Sequence, residues 1–169
     1  MSLTDEIINK VVEVTLSGRS RIAVCAHYGI SCEGWLKVEI ISALTPLLAN
    51  WLDLSIVPEA DNVVLTVQTE TEQVLLELKT FPTNYGRGGK PITNFVQGVI
   101  EDLVKLKSRT GPTVGGLSIW MAYPIPEPIP PTWQGHLNKI KAVSAQTLRT
   151  ERIPLWESAF ANLYVMRCK

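Results

Sequence analysis

Charged residues stand at positions where the surrounding sequence is apolar. Glu77 and Lys79 interrupt the segment VLLELKT over residues 74–80, two positions apart, so in a β-strand both side chains point to one face. Glu39 lies on the apolar stripe of a predicted helix, and Asp61 precedes another apolar segment. Burying such charges is costly unless they are paired or bind a metal ion. Converging carboxylates suit a hard cation such as Mg²⁺, and a nearby lysine can orient a metal-bound water or balance phosphate charge.

The elements that must position these residues predict an α/β domain with a mixed sheet covered by helices. Helical periodicity predicts four helices, over residues 4–17, 33–52, 93–107 and 132–146. The arms DNVVLTVQ and QVLLELKT flank the polar turn TETE and indicate a β-hairpin, while LSIWMAY and ANLYVMRC predict two further strands. The segment RIAVCAHYG fits either a strand or a continuing helix. Among the tryptophans, the expected core positions are Trp35, Trp51 and Trp120, and the expected surface positions are Trp133 and Trp156.

Composition limits the classes of function. The chain has 169 residues and 46% apolar content, which predicts a single domain over residues 1–169 with a sizeable core. Sixteen basic and sixteen acidic residues give zero net charge, so nucleic acid could be bound only through a local patch. The acidic N-terminus is unlike a secretory signal, and no stretch has the roughly 18 to 20 apolar residues of a membrane span. Three widely spaced cysteines fit a reducing compartment, so a cytoplasmic protein without membrane contact is expected.

Asp61 before the hairpin, Glu77-Leu78-Lys79 on its second arm and Glu39 on the preceding helix resemble the PD-(D/E)XK nuclease superfamily. This resemblance implies the restriction-endonuclease-like fold, an αβββαβ core with a central mixed sheet, in which residues 21–29 or a neighbouring segment supply the first strand. It implies hydrolysis of DNA phosphodiester bonds with Mg²⁺ or Mn²⁺ as cofactor. DNA is the implied partner. A homodimer is consistent with the resemblance, because many nucleases of this fold act as dimers.

The resemblance also implies a role for each matching residue. Asp61 and Glu77 correspond to the metal ligands, and Glu39 to an auxiliary ligand or a support for one. Lys79 corresponds to the group that activates the attacking water or stabilises developing charge. Gln97, on the helix that follows the motif, corresponds to a polar residue that lines the site.

The register of the hairpin imposes a geometric condition on this interpretation. A plain even turn centred on Glu70 and Thr71 would pair Asp61 with Thr80, which places Asp61 and Glu77 on opposite faces of the sheet. A metal ion could not then bridge the two carboxylates. The nuclease hypothesis therefore predicts an odd-length loop or a β-bulge between residues 61 and 77.

The glycine-rich segment GRGGK predicts a mobile loop within residues 81–93. Pro91 follows Lys90 where a phosphate-binding P-loop needs Ser or Thr, so this class of site is excluded. Arg87 and Lys90 are expected either to contact a DNA backbone or to be solvated. The basic run of Lys105, Lys107 and Arg109 is expected to be a solvated helix end.

A non-catalytic alternative explains the same charges differently. In this alternative the chain keeps the fold as a structural or partner-binding module, and the charges form a buried ion-pair network. Zero net charge favours it mildly, because a stand-alone nuclease usually needs a basic groove.

Overall fold

A mixed sheet runs through the centre of the protein, with helices on both faces. The structure, a computed structural model, describes residues 2–49, 53–59, 63–85, 91–143 and 145–168. The helices are α1 (Leu3–Ser17), α2 (Arg19–Tyr28), α3 (Glu33–Leu44), α4 (Ile92–Lys107) and α5 (Pro131–Lys141). The strands are β1 (Ser55–Pro58), β2 (Leu65–Gln68), β3 (Gln73–Pro82), β4 (Val114–Pro126), β5 (Ala145–Trp156) and β6 (Ala159–Cys168).

The six described strands lie in the order β1-β2-β3-β4-β6-β5. β3 and β4 pair in parallel and are connected through α4, whereas every other neighbouring pair is antiparallel. From α3 to β4 the element order is helix, three strands, helix and strand. The predicted α/β class with a mixed, helix-covered sheet is therefore confirmed.

The helices form two layers. The α1–α3 layer packs on one face of the sheet, and the α4–α5 layer packs on the other. The core between the sheet and the α1–α3 layer includes Ile7, Ile22, Leu36, Leu76 and Leu78. The core between the sheet and the α4–α5 layer includes Leu75, Phe81, Val96, Val99 and Leu103. None of the described helices is long and apolar enough to cross a membrane.

Several element boundaries differ from the predictions. Residues 21–29 were one candidate for the first strand, but they belong to α2 and the turn after it. The first strand of the sheet is β1 instead. The helix predicted over 33–52 ends at Leu44 and continues as a 3₁₀ helix, Thr45–Ala49, because Pro46 cannot donate the α-helical hydrogen bond. The helix predicted to reach Gln146 ends at Lys141, and Gln146 lies in the edge strand β5 instead.

An aromatic cluster holds the α4–α5 layer on the sheet. The ring of Trp120 stacks on Tyr164 with centroids 4.1 Å apart and on Phe81 at 6.3 Å. Phe81 also stacks on Phe95 of α4 at 4.8 Å. Trp133 of α5 contacts Trp120 edge-on at 6.3 Å and is buried, so its predicted surface position is wrong. The cluster links β3, β4 and β6 to both helices of this layer.

The three cysteines are free and lie in or against the core. Burial raises the pKa values of Cys25 and Cys168 to about 11, and the neighbouring Cys32 adds to the rise at Cys25. Cys25 and Cys168 therefore stay protonated near neutral pH and are poor nucleophiles.

Candidate functional site

Strand β3 presents Glu77 and Lys79 to the α4–α5 layer, as period-two geometry predicts. Leu75 on the same face packs in that layer, whereas Leu76 and Leu78 pack in the α1–α3 layer. β3 is an interior strand, paired with β2 on one side and β4 on the other. The two charged side chains therefore project from the middle of the sheet beneath a helix.

Helix α4 supplies the partners of both charges. The Nζ of Lys79 lies 2.8 Å from Oδ2 of Asp102, and the Nζ of Lys105 forms an ion pair with Oε1 of Glu77. The same Lys105 Nζ is 3.9 Å from Oδ1 of Asp102. These four residues, the β3–α4 charge cluster, contain two carboxylates and two ammonium groups and are formally neutral.

Exposure increases across the charge cluster from Glu77 outward. The exposed fraction of the side chain is 5% for Glu77 and 14% for Asp102, but 28% for Lys79 and 33% for Lys105. Burial raises the pKa of Glu77; the nearby Asp102 carboxylate raises it further, and the hydrogen bond from Lys105 opposes the rise. The carboxylates thus lie inside, with the ammonium groups between them and solvent.

Gly98 gives Lys79 the space it occupies. A Cβ on Gly98 would lie 3.1 Å from Lys79 Nζ and 3.6 Å from its Cδ and Cε atoms. Gly98, Asp102 and Lys105 are spaced by four and three residues, so they form one stripe along α4. A glycine in the middle of a strong helical pattern, followed by an acid one turn later, was the sequence signal that could have identified this stripe.

Alanine at Gly98 tests this arrangement against alanine at Gly135, a glycine of α5 whose added Cβ would contact nothing within 4 Å. Gly135→Ala is expected to raise the free energy of unfolding by up to about 1 kcal/mol, because alanine favours helix. Gly98→Ala is expected to gain less, because the Lys79 ammonium must shift away from the new methyl group. Urea denaturation of both variants measures the difference; equal gains would show that Lys79 does not depend on the space at Gly98.

The hairpin has the plain register over its described length. Gln68 pairs with Gln73 and Leu65 with Leu76 across the four-residue turn 69–72, so of the two predicted alternatives the odd-length loop is wrong, and a β-bulge would have to lie outside these paired residues. The alternation nevertheless breaks immediately before β2, because Val64 and Leu65 both pack on the α1–α3 side of the sheet and Val63 packs on the α4–α5 side. Asp61 lies outside the described residues, so its predicted place on the face of Glu77 stays a prediction.

Glu39 lies away from the charge cluster. Its Oε1 accepts hydrogen bonds from Arg21 Nη1 at 2.9 Å and from the indole Nε1 of Trp35 at 3.0 Å. α3 packs in the α1–α3 layer, on the opposite face of the sheet from Glu77 and Lys79. The predicted role of Glu39 as an auxiliary metal ligand therefore does not agree with the structure; the carboxylate instead serves as the acceptor for Trp35.

The remaining predicted site residues lie outside the cluster or outside the described chain. Gln97 is exposed on α4, and its amide Nε2 donates to Oε1 of Glu101 at 3.1 Å. This hydrogen bond places Gln97 beside the stripe of Gly98 and not among its charges. Arg87 and Lys90 lie outside the described residues, so their contact with DNA stays a prediction.

Comparison with known proteins finds no matching family, no matching curated protein and no matching solved structure. A functional assignment therefore depends on the geometry and chemistry of the charge cluster. Sequence reasoning identified Glu77 and Lys79 but missed Asp102 and Lys105, their partners on α4.

An open cleft occupies a different place. It has a volume of about 670 Å³ and lies at the N-terminal ends of β3 and β4, where Gln73, Thr113 and Arg167 contribute to its lining. Glu77, Lys79 and their partners do not line it. The β3–α4 charge cluster is thus separate from this cleft and lies beneath α4.

The donor set of the charge cluster suits Mg²⁺ better than a softer metal. Among the described residues, no group of three or more His, Cys, Asp or Glu side chains converges. Mg²⁺ is commonly bound by only one or two carboxylates, with waters and substrate phosphates completing its shell. Glu77 and Asp102 supply such a pair, since both approach the Nζ of Lys105. The two carboxylates therefore fit a Mg²⁺ ion, provided that Lys105 withdraws.

Proposed function

We propose that this protein is a Mg²⁺-dependent nuclease of restriction-endonuclease-like architecture that hydrolyses phosphodiester bonds in DNA. One observation carries the proposal: the nearly buried carboxylate of Glu77 and the ammonium of Lys79 share one face of the interior strand β3. Burying charge at the centre of a sheet opposes stability, so residues with this cost are candidates for function.

The order of elements supports the architecture. The helix, three strands, helix and strand from α3 to β4 agree with the αβββαβ order that the sequence resemblance implies. The parallel pairing of β3 with β4 places α4 directly over the motif strand. Mn²⁺ would serve as an alternative cofactor, because it also prefers oxygen ligands.

Each residue of the charge cluster has a chemical role in this proposal. Glu77 and Asp102 would hold the cation, which lowers the pKa of a bound water and neutralises phosphate charge. Lys79 would donate hydrogen bonds to a phosphate oxygen or orient the attacking water, as its ammonium is partly exposed. Asp102 keeps the Lys79 ammonium over Gly98 and so fixes where that positive charge acts. Asp61 completes the proposed ligand set.

A cleavage assay tests the proposal with a matched pair of lysines. Purified protein is incubated with plasmid or single-stranded DNA in the presence of Mg²⁺, Mn²⁺ or EDTA. Lys79→Ala is expected to lower the cleavage rate by about 100-fold, the effect of removing one preorganised electrostatic group. Lys37→Ala is the control, because Lys37 is also ion-paired and its side chain has the same 28% exposure, but it lies on α3.

Three outcomes would contradict the proposal. Cleavage that persists in EDTA would reject the metal requirement. Equal activity in Lys79→Ala and Lys37→Ala would reject the assigned role of Lys79, and the absence of cleavage of either DNA under every metal condition would reject the nuclease function.

The closed pairing of the charge cluster favours a second candidate function. Each carboxylate already has an ammonium partner, as in a structural ion-pair network. In this alternative the protein is a non-catalytic relative that acts as a structural or partner-binding module. It predicts that breaking the network destabilises the fold, and that neither the unaltered protein nor the variant cleaves DNA.

A further inference from the structure

The ammonium of Lys105 lies where a cation would bind. Its Nζ forms an ion pair with Glu77 Oε1 and lies 3.9 Å from Asp102 Oδ1, so it stands between the two carboxylates. Lys79 approaches the other oxygen of Asp102, Oδ2, at 2.8 Å. The position between Glu77 and Asp102 is therefore held by a positive charge of the protein itself.

Electrostatics explains why the protein needs a charge there. A carboxylate as buried as Glu77 requires a compensating charge, and its removal would leave a large unpaired desolvation cost. Lysine is suited to a temporary partner, since its compact charge sits at the end of a flexible four-carbon stem. One third of the Lys105 side chain is exposed, so this residue lies at the boundary between the buried carboxylate and solvent.

We propose that Lys105 is a built-in counter-cation, which neutralises Glu77 in the cation-free protein and withdraws to solvent when a divalent cation binds Glu77 and Asp102. This inference rests on the proposed function, because it assigns a regulatory residue to the same site. The lysine and the cation exclude each other, since both require the same carboxylate oxygens. Lys105 therefore weakens cation binding while it keeps the cation-free protein folded.

Removal of the Lys105 charge tests the exclusion by direct binding. Binding of Mn²⁺ alone is measured by calorimetry or by the electron spin resonance of the free ion. This measurement requires no catalytic turnover. Lys105→Met keeps the length of the side chain and is expected to lower the Kd for Mn²⁺ by about tenfold or more, as expected when a competing state is removed. Lys107→Met removes an exposed charge two residues away and is expected to leave the Kd unchanged. Glu77→Gln, added to Lys105→Met, is expected to abolish the gain.

The unaltered protein provides a second test, which stands even if Lys105→Met does not fold. Acylation of lysines by an amine-reactive ester, quantified by mass spectrometry, reports how accessible each ammonium is. Mg²⁺ is expected to increase the labelling of Lys105 several-fold as its ion pair opens. Lys107 serves as the internal control and is expected to be labelled equally with and without Mg²⁺.

These experiments separate the inference from the nuclease proposal. Tighter Mn²⁺ binding in Lys105→Met without DNA cleavage by the unaltered protein would reject the nuclease and keep the counter-cation. Metal-dependent cleavage with unchanged Mn²⁺ affinity in Lys105→Met would reject the counter-cation alone. Labelling of Lys105 that does not respond to Mg²⁺ would also reject it.

Discussion

Glu77→Gln is expected to lower DNA cleavage by on the order of 100-fold or more, equivalent to about 2.7 kcal/mol of transition-state stabilisation. Glutamine has nearly the shape of glutamate, but its neutral amide is a much weaker cation ligand. The same substitution removes a buried charge from beneath α4. Loss of activity is therefore expected without loss of the fold, and cleavage assays and urea denaturation of the same preparation check both results.

The difference in stability between Glu77→Gln and the unaltered protein is also expected to depend on pH in a defined direction. Burial raises the folded-state pKa of Glu77 above the ordinary value of 4.5, so the folded protein keeps this proton at a pH where the unfolded chain loses it. The contribution of Glu77 to stability is therefore complete below about pH 4.5 and is lost as pH rises through the folded-state pKa. Glutamine carries no such penalty, so the variant is expected to gain stability relative to the unaltered protein between pH 4.5 and neutrality.

Denaturation in EDTA at acidic and neutral pH measures this difference, with Glu13→Gln as the control. Glu13 is an exposed glutamate of α1 that pairs with Lys10 at 2.9 Å. The structural ion-pair alternative predicts the opposite result, since breaking a required buried pair costs about 3 to 5 kcal/mol. A large loss of stability in Glu77→Gln at neutral pH, with no change in activity, would favour that alternative.

Trp120→Ala is expected to lower the free energy of unfolding by about 3 to 5 kcal/mol, the usual cost of truncating a buried tryptophan. The side chain is fully buried and stacks on both Tyr164 and Phe81. A protein of this size should then melt roughly 10 °C lower. Trp120 is also the partner of Lys79 in the register of β3 and β4, so the variant removes a large side chain beside the charge cluster.

Trp156→Ala is the matched control for this large effect. Trp156 is 42% exposed at the end of β5, so its truncation is expected to change the free energy of unfolding by less than about 1 kcal/mol. Thermal denaturation of both variants measures the contrast. Similar melting temperatures for Trp120→Ala and Trp156→Ala would contradict the assigned importance of the aromatic cluster.

The sequence predicted the part of the site that depends on one strand. Alternation along β3 put Glu77 and Lys79 on one face, and this face is confirmed. Asp102 and Lys105 were missed because their role depends on how α4 docks, which helical periodicity alone does not specify. Lys105 was predicted to belong to a solvated helix end, yet its charge reaches under the helix to Glu77.

Other errors arose where a polar group had a local partner or a strand had no apolar pattern. Glu39 stood on the apolar stripe of α3 because it accepts the indole N–H of Trp35, a contact between positions one helical turn apart. β5 was missed because an exposed edge strand alternates weakly and is held by its backbone pairing with β6. Trp133 was placed at the surface because nothing in its local sequence shows that α5 packs on Trp120.

The parallel pairing of β3 with β4 also affects the order in which the chain can fold. The β2–β3 and β5–β6 hairpins close through short turns, whereas β4 can join β3 only after α4 has crossed between them. Closing a longer connection costs more conformational entropy, so this pairing is expected to follow the hairpins. Glu77 remains hydrated in an isolated hairpin, and the step that completes the sheet is also the step that strips water from its carboxylate.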